Sequence, residues 1–137
     1  MSKRKRTIIN QYRNLKDNGW LIEDTSSYLK FNGGSETLRH RTAKTVAAHV
    51  ALENDYVVAS EVVNKHDKEA DILAYGHDSR RPIVIELENG LTDETRKKKL
   101  NHYNVDPVRE VFIVDLDEWM NNDPAWLSGY IKSVTGL

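Results

Sequence analysis

Glu86 and Glu88 stand one residue apart on the apolar run Ile83-Val84-Ile85-Glu86-Leu87-Glu88. Along a β-strand, residues i and i+2 point to the same face. The two carboxylates therefore sit side by side, with Ile83, Ile85 and Leu87 turned the other way into a core. Like charges on a hydrophobic strand repel and lose hydration unless something positive lies between them. Upstream, Asp71 sits at the head of a second apolar segment, Ala70-Asp71-Ile72-Leu73-Ala74. Three converging carboxylates are most simply reconciled by a hard divalent cation, and Mg²⁺, for which Mn²⁺ substitutes, favours such oxygen ligands. The expected metal ligands are Asp71, Glu86 and Glu88.

The elements that must hold these residues can be read from periodicity and turn chemistry. A helix is expected over residues 7–18, after a short basic tail at Lys3, Arg4, Lys5 and Arg6. Residues 20–31 show no clear period and read as an extended segment or hairpin arm. Asn32-Gly33-Gly34 breaks the chain, and Ser35 is a plausible helix cap. A second helix is expected from Glu36 to about Leu52, with Leu38, Val46 and Val50 on one side and Ala43, Ala47 and Ala51 beside them. Strands follow at 56–63, 70–75 and 82–88. Thr92 caps a helix over 93–103, 109–115 reads as a buried parallel-type strand, and a last helix spans 124–134. The order from Glu36 is α-β-β-β-α-β. This implies an α/β domain with a mixed sheet of about four strands flanked by helices. The chain divides into a basic extension, 1–34, and a domain over 35–137.

On the second helix, Glu36, His40 and Lys44 are spaced by four, so they form a polar line along its edge. Glu36 would orient a metal-bound water, and His40 or Lys44 would contact an anionic substrate. Such spacing also commonly just stabilises an exposed helix. Lys97, Lys98 and Lys99 follow the acidic strand directly and are candidate phosphate contacts. Lys3–Arg6 are a second set. Trp20, Tyr28 and Phe31 offer stacking surfaces, although packing explains them more simply.

Composition narrows the field. The 137 residues suit one domain, and the net charge of −1 singles out no partner. Charge is uneven, however, with residues 1–35 at about +4. There is no cysteine, which excludes disulfides, thiol catalysis and cysteine-based zinc. The histidines form no zinc-binding spacing, and no phosphate loop or nucleophile elbow is present. With no membrane-length apolar run, a soluble, cytoplasmic protein is the expectation.

The element order, with Asp71 in Ala-Asp-Ile-Leu-Ala and the Glu86-x-Glu88 pair, resembles the PD-(D/E)xK nuclease superfamily. The details look most like its archaeal Holliday-junction resolvase branch, where a Gly-x-Glu starts the first helix as Gly34-Ser35-Glu36 does here. The resemblance covers roughly residues 34–115. It implies a restriction-endonuclease-like core and Mg²⁺-dependent cleavage of DNA, including branched DNA. Asp71, Glu86, Glu88, Glu36 and Lys44 would be its catalytic residues. Glu88 takes the place of the family's usual lysine, giving an E-x-E variant of a kind that some restriction endonucleases carry. Lys44, or one of Lys97, Lys98 and Lys99, would then supply the positive charge. Cutting two strands calls for two centres, hence a homodimer. Two other readings stay open: a catalytically inactive nucleic-acid-binding module of the same fold, and an interaction protein whose carboxylates are merely solvated.

Overall fold

A computed structural model describes residues 1–34 and 36–137. The expected cap at Ser35 lies outside the described residues. In chain order the elements are α1 (Lys3–Asp17), α2 (Leu38–Glu53), β1 (Val57–Val63), β2 (Glu69–Tyr75), β3 (Ile83–Glu88), α3 (Asp93–Tyr103), β4 (Glu110–Asp115), a single 3₁₀ turn at Leu116–Glu118, and α4 (Pro124–Thr135). The four strands form one mixed sheet in the order β1-β2-β3-β4. β1, β2 and β3 pair antiparallel, and β3 and β4 pair parallel across the α3 crossover. This matches the α/β class and the mixed four-stranded sheet read from the sequence. No described helix is long and apolar enough to cross a membrane.

The sheet is covered on both faces. Ile83, Ile85 and Leu87 of β3 join Ile72 and Ala74 of β2 in one core, under α2 and α4. Val84 joins Leu73 and Tyr75 in a second core with Leu15 of α1 and Tyr103 of α3. The period-two alternation thus sorts β3 between two cores. The alanines of α2 (Ala43, Ala47, Ala48, Ala51) are buried against the first. Their small side chains let the helix lie close to the sheet, which brings its polar residues within reach of β2 and β3.

Three expectations need correction. The basic residues Lys3, Arg4, Lys5 and Arg6 are the first turn of α1, not a tail. Positive charge at a helix N-terminus opposes the helix dipole, and the apolar face read from the sequence begins only at Ile8. Ser2 compensates by accepting from the Lys5 N–H, and Arg4 Nη1 donates to Gly76 O at 2.8 Å. Helix α2 starts at Leu38, capped by Thr37, so Glu36 precedes the helix. Leu38 is 81% exposed and does not share the buried face of Val50.

The segment after α1 is extended. Trp20 is fully buried and its indole N–H donates to Asp106 O at 3.2 Å. Leu21 and Tyr28 donate backbone N–H bonds to Val63 and Val58, so the segment covers part of the outer edge of β1. Residues 1–34 thus contribute Leu15, Trp20 and Ile22 to the second core.

Candidate active site

The register that pairs Ile72 with Ile85 places Asp71 beside Glu86. Here the backbone ladder of β2 and β3 gives way to side chains. The Asp71 N–H donates to Glu86 Oε2 at 2.6 Å, and the Leu87 N–H donates to Asp71 Oδ2 at 2.9 Å. Each carboxylate accepts a backbone hydrogen from the opposite strand. These bonds tie both side chains to the end of the ladder.

Glu86 is 1% exposed, and the solvated face that alternation on β3 would allow does not apply to it. Burial, then the negative charge of Asp71, pushes its carboxyl up to about 8, against the pull of the Asp71 N–H and of Lys99. Lys99 reaches in from α3, with Nζ at 3.2 Å from Glu86 Oε1 and 2.5 Å from Glu88 Oε1. Its ring neighbour Tyr103 lies below it, Nζ at 5.8 Å from the ring centre. Of the three α3 lysines only Lys99 joins the site; Lys97 is exposed, and Lys98 pairs along the helix with Glu94 at 3.5 Å.

From the other side α2 supplies His40. Its Nδ1 is 2.8 Å from Glu36 Oε1, and its Nε2 lies 3.3 Å from Leu87 O and 3.7 Å from Asp71 Oδ2. Asp71 first, and then Glu36, raise its pKa to about 9 against the opposing effect of burial, so the ring is an imidazolium at neutral pH. Burial alone would raise Glu36. The Lys44 ammonium, His40 and the Asn32 N–H outweigh it and hold the carboxyl down at about 2.

Lys44 has no exposed side-chain surface. It bonds Glu36 Oε1 at 2.9 Å, Lys30 O at 3.2 Å and Glu61 Oε1. The ring of Phe31 lies 5.4 Å from its ammonium. As placed, Lys44 is a buried counter-ion and touches no substrate; its expected phosphate contact is not available to it. Glu61 is the group that sequence reasoning missed. It sits in β1 at φ +54°, between the pairs Ser60↔Ile72 and Val62↔Ala70, whose register runs on unchanged across it. The left-handed backbone at this one position turns Glu61 toward Lys44. Burial and then Glu69 raise its carboxyl to about 7, despite Lys44. A glutamate within Ala59-Ser60-Glu61-Val62 was the available signal, but nothing in the sequence announces a left-handed residue inside a strand.

The result is a continuous network of acids and bases: Glu61, Lys44, Glu36, His40, Asp71, then Glu86, Lys99 and Glu88. Asp71, His40, Lys99 and Glu88 keep side-chain exposures of 16–25%, whereas Glu36, Lys44, Glu61 and Glu86 are enclosed. A groove of about 280 Å³ lined by Asn32, Glu36, Thr37, His40 and Asn89 opens beside them. The basic turn Lys3–Arg6 lies elsewhere. Arg4 is anchored to Gly76, five residues along β2 from Asp71, or about 17 Å at the usual strand rise.

Among the described residues no three acidic or histidine side chains converge as a ready-made ligand set. Two carboxylates do meet, and Asp71 Oδ2 and Leu87 O both approach His40 Nε2. Mg²⁺ keeps several waters and is commonly held through one or two carboxylates, so Asp71, Glu86 and the Leu87 carbonyl fit its chemistry. Glu88 stands one step aside, held by Lys99.

No protein-family model, curated protein or solved structure matches this chain.

The shifted groups set a pH dependence. Glu86 titrates near 8 when folded and 4.5 unfolded. Its ionisation therefore costs stability, increasingly as pH rises above about 4.5 and fully above about 8. His40 contributes stability that is complete below 6.5 and lost as pH rises through about 9. Both make the protein weaker in alkali. The Glu86→Gln variant should melt above the parent at pH 9. Near pH 4.5 that gap should close. A gap of equal size at both pH values in thermal melts would contradict the assignment.

Proposed function

We propose that this protein is a Mg²⁺-dependent endonuclease of the restriction-endonuclease-like type, hydrolysing phosphodiesters of DNA in the manner of a resolvase. The observation that carries this reading is the crossed pair at the end of the β2–β3 ladder. Asp71 and Glu86 hold each other's strands, and one of them is buried with its charge disfavoured.

Asp71, Glu86 and the carbonyl of Leu87 would hold the metal. The bound ion would lower the pKa of a water and neutralise charge building on the scissile phosphate. The remaining chemistry belongs to the chain. The imidazolium of His40, fixed by Glu36, orients Asp71 and places a positive charge at the groove where a phosphate enters. Lys99 brings a second positive charge to the carboxylates from a different element than the family's strand lysine, and its exposure lets it meet a phosphate oxygen. Glu88, nearest to solvent, is the candidate acceptor of the water's proton. Glu36 and Lys44 stand one layer behind and hold His40 in place.

A non-catalytic nucleic-acid-binding module is the second reading. It is favoured by Lys99 itself, which already neutralises Glu86 and Glu88 from within the protein. Supercoiled plasmid and a four-way DNA junction, incubated with Mg²⁺, Mn²⁺ or EDTA, separate the two. Cleavage in both metals and none in EDTA is expected. Folded protein that binds DNA but leaves it intact in every condition would replace the enzyme with the module.

A further inference from the structure

The far end of β3 carries a second polar surface. Six residues separate Pro82 from Glu88, about 20 Å at the usual strand rise. At the Pro82 end, a cleft of about 690 Å³ opens between α1, the β2–β3 loop and the turn before β4. Arg80, Arg81 and Arg109 line it, together with Asp78 and Asp106. Arg109 is paired with Asp106 at 2.7 Å. Arg80 and Arg81 are exposed, and neither has an ion-pair partner among the described residues. The carboxylate end is the opposite case, since His40, Lys44 and Lys99 are all matched there by acids.

The loop that carries these two arginines is fixed. Gln11 of α1 accepts from the Gly76 N–H at 2.7 Å and donates to the carbonyls of His77 and Arg80, both at 3.2 Å. Arg4 donates to Gly76 O from the same helix and adds a further positive charge at this end. Gly76 itself sits at φ +83°, with a hypothetical Cβ only 2.8 Å from Ile8, so the turn is close-packed on α1. The backbone is therefore held, Arg80 lies beside the Tyr56 hydroxyl, and neither guanidinium is neutralised by an acid among the described residues. That arrangement suits planar, bidentate contact with phosphate oxygens. The cleft is wide and polar, unlike an apolar small-molecule pocket.

We propose that this arginine cleft grips the phosphodiester backbone of a DNA duplex whose scissile phosphate lies at the carboxylate end. The inference rests on the nuclease reading. With successive phosphates of one strand about 3.4 Å apart along the helix axis, the 20 Å span corresponds to a contact roughly six base pairs from the cut. The cleft supplies register and affinity, and the carboxylates supply the chemistry.

The test is fluorescence anisotropy on a labelled 20-base-pair duplex in EDTA, across a salt series, with Arg80→Ala/Arg81→Ala against the parent. The double variant should bind about tenfold more weakly, and its log Kd–log salt slope should be about two units shallower. Its kcat in Mg²⁺ should be unchanged and its KM raised. A duplex cut back to fewer than about six base pairs on the cleft side should bind both proteins alike. Equal affinity and slope for the two proteins on the long duplex, with the parent cleaving normally, would overturn this inference alone. A parent that neither binds nor cleaves duplex would overturn the nuclease reading and this inference with it.

Discussion

Under the proposed nuclease function, replacing Asp71 by Asn is expected to lower Mg²⁺-dependent cleavage by about a thousandfold or more, with a melting temperature within a few degrees of the parent. The substitution keeps the shape and keeps an oxygen to accept the Leu87 N–H, the bond that closes the end of the β2–β3 ladder. What goes is one negative charge. A hard cation gains much of its hold from that charge, and its help to the reaction is worth several kcal/mol. Each 1.4 kcal/mol is tenfold in rate. The same change removes the leading cause of the raised pKa of His40, so the ring should titrate closer to its ordinary value. Single-turnover cleavage, thermal melting and an NMR titration of the ring read the three effects separately. Activity within tenfold of the parent would remove Asp71 from the chemistry.

The second large effect concerns stability. Lys44→Met should cost roughly 3–5 kcal/mol at pH 8, the usual consequence of stranding a buried charge. Methionine matches much of the lysine's length and packs under Phe31, so the loss is electrostatic rather than a cavity. Glu36 retains His40 and the Asn32 N–H. Glu61 retains Asn32 Nδ2 at 3.2 Å but loses its cation. In the parent its carboxyl already titrates near 7, and without the ammonium it rises further. The folded variant then holds a proton that the unfolded chain releases above about 4.5, so its stability recovers as pH falls toward 5.5. Urea unfolding at pH 8 and 5.5 measures this. Adding Glu61→Gln should recover part of the loss, because the two residues share one interaction. A cost below about 1 kcal/mol at pH 8 would mean the ammonium is not the counter-ion described.

The parts of the site read from sequence were those governed by short-range periodicity. Spacing of two on β3 placed Glu86 and Glu88 together on one face. The brief connection between two apolar runs placed Asp71 beside them, because a hairpin fixes register. Spacing of four put His40 and Lys44 on one side of α2, and Glu36, just ahead of the helix, meets both. Periodicity cannot say which end of such a line reaches substrate. The depth of α2, set by its alanines, buries Lys44 and leaves His40 at the groove. Lys99 stood in a run of three similar lysines, and the helix phase relative to the sheet chose it. Glu61 depended on a single left-handed residue within β1, which redirects a side chain without any compositional mark. The start of α1 was obscured because its first turn carries charges of the wrong sign for the dipole, offset by Ser2 and by a contact to Gly76 that lies 72 residues away in the chain.

The crossed bonds between Asp71 and Glu86 have a practical corollary. The amide hydrogens of residues 71 and 87 are guarded by carboxylate oxygens instead of by peptide carbonyls. A ligand that displaces either bond opens the seam of the hairpin, and one that takes the remaining lone pairs tightens it. Deuterium uptake at two backbone positions thereby becomes an occupancy gauge for the site, readable without substrate and without turnover.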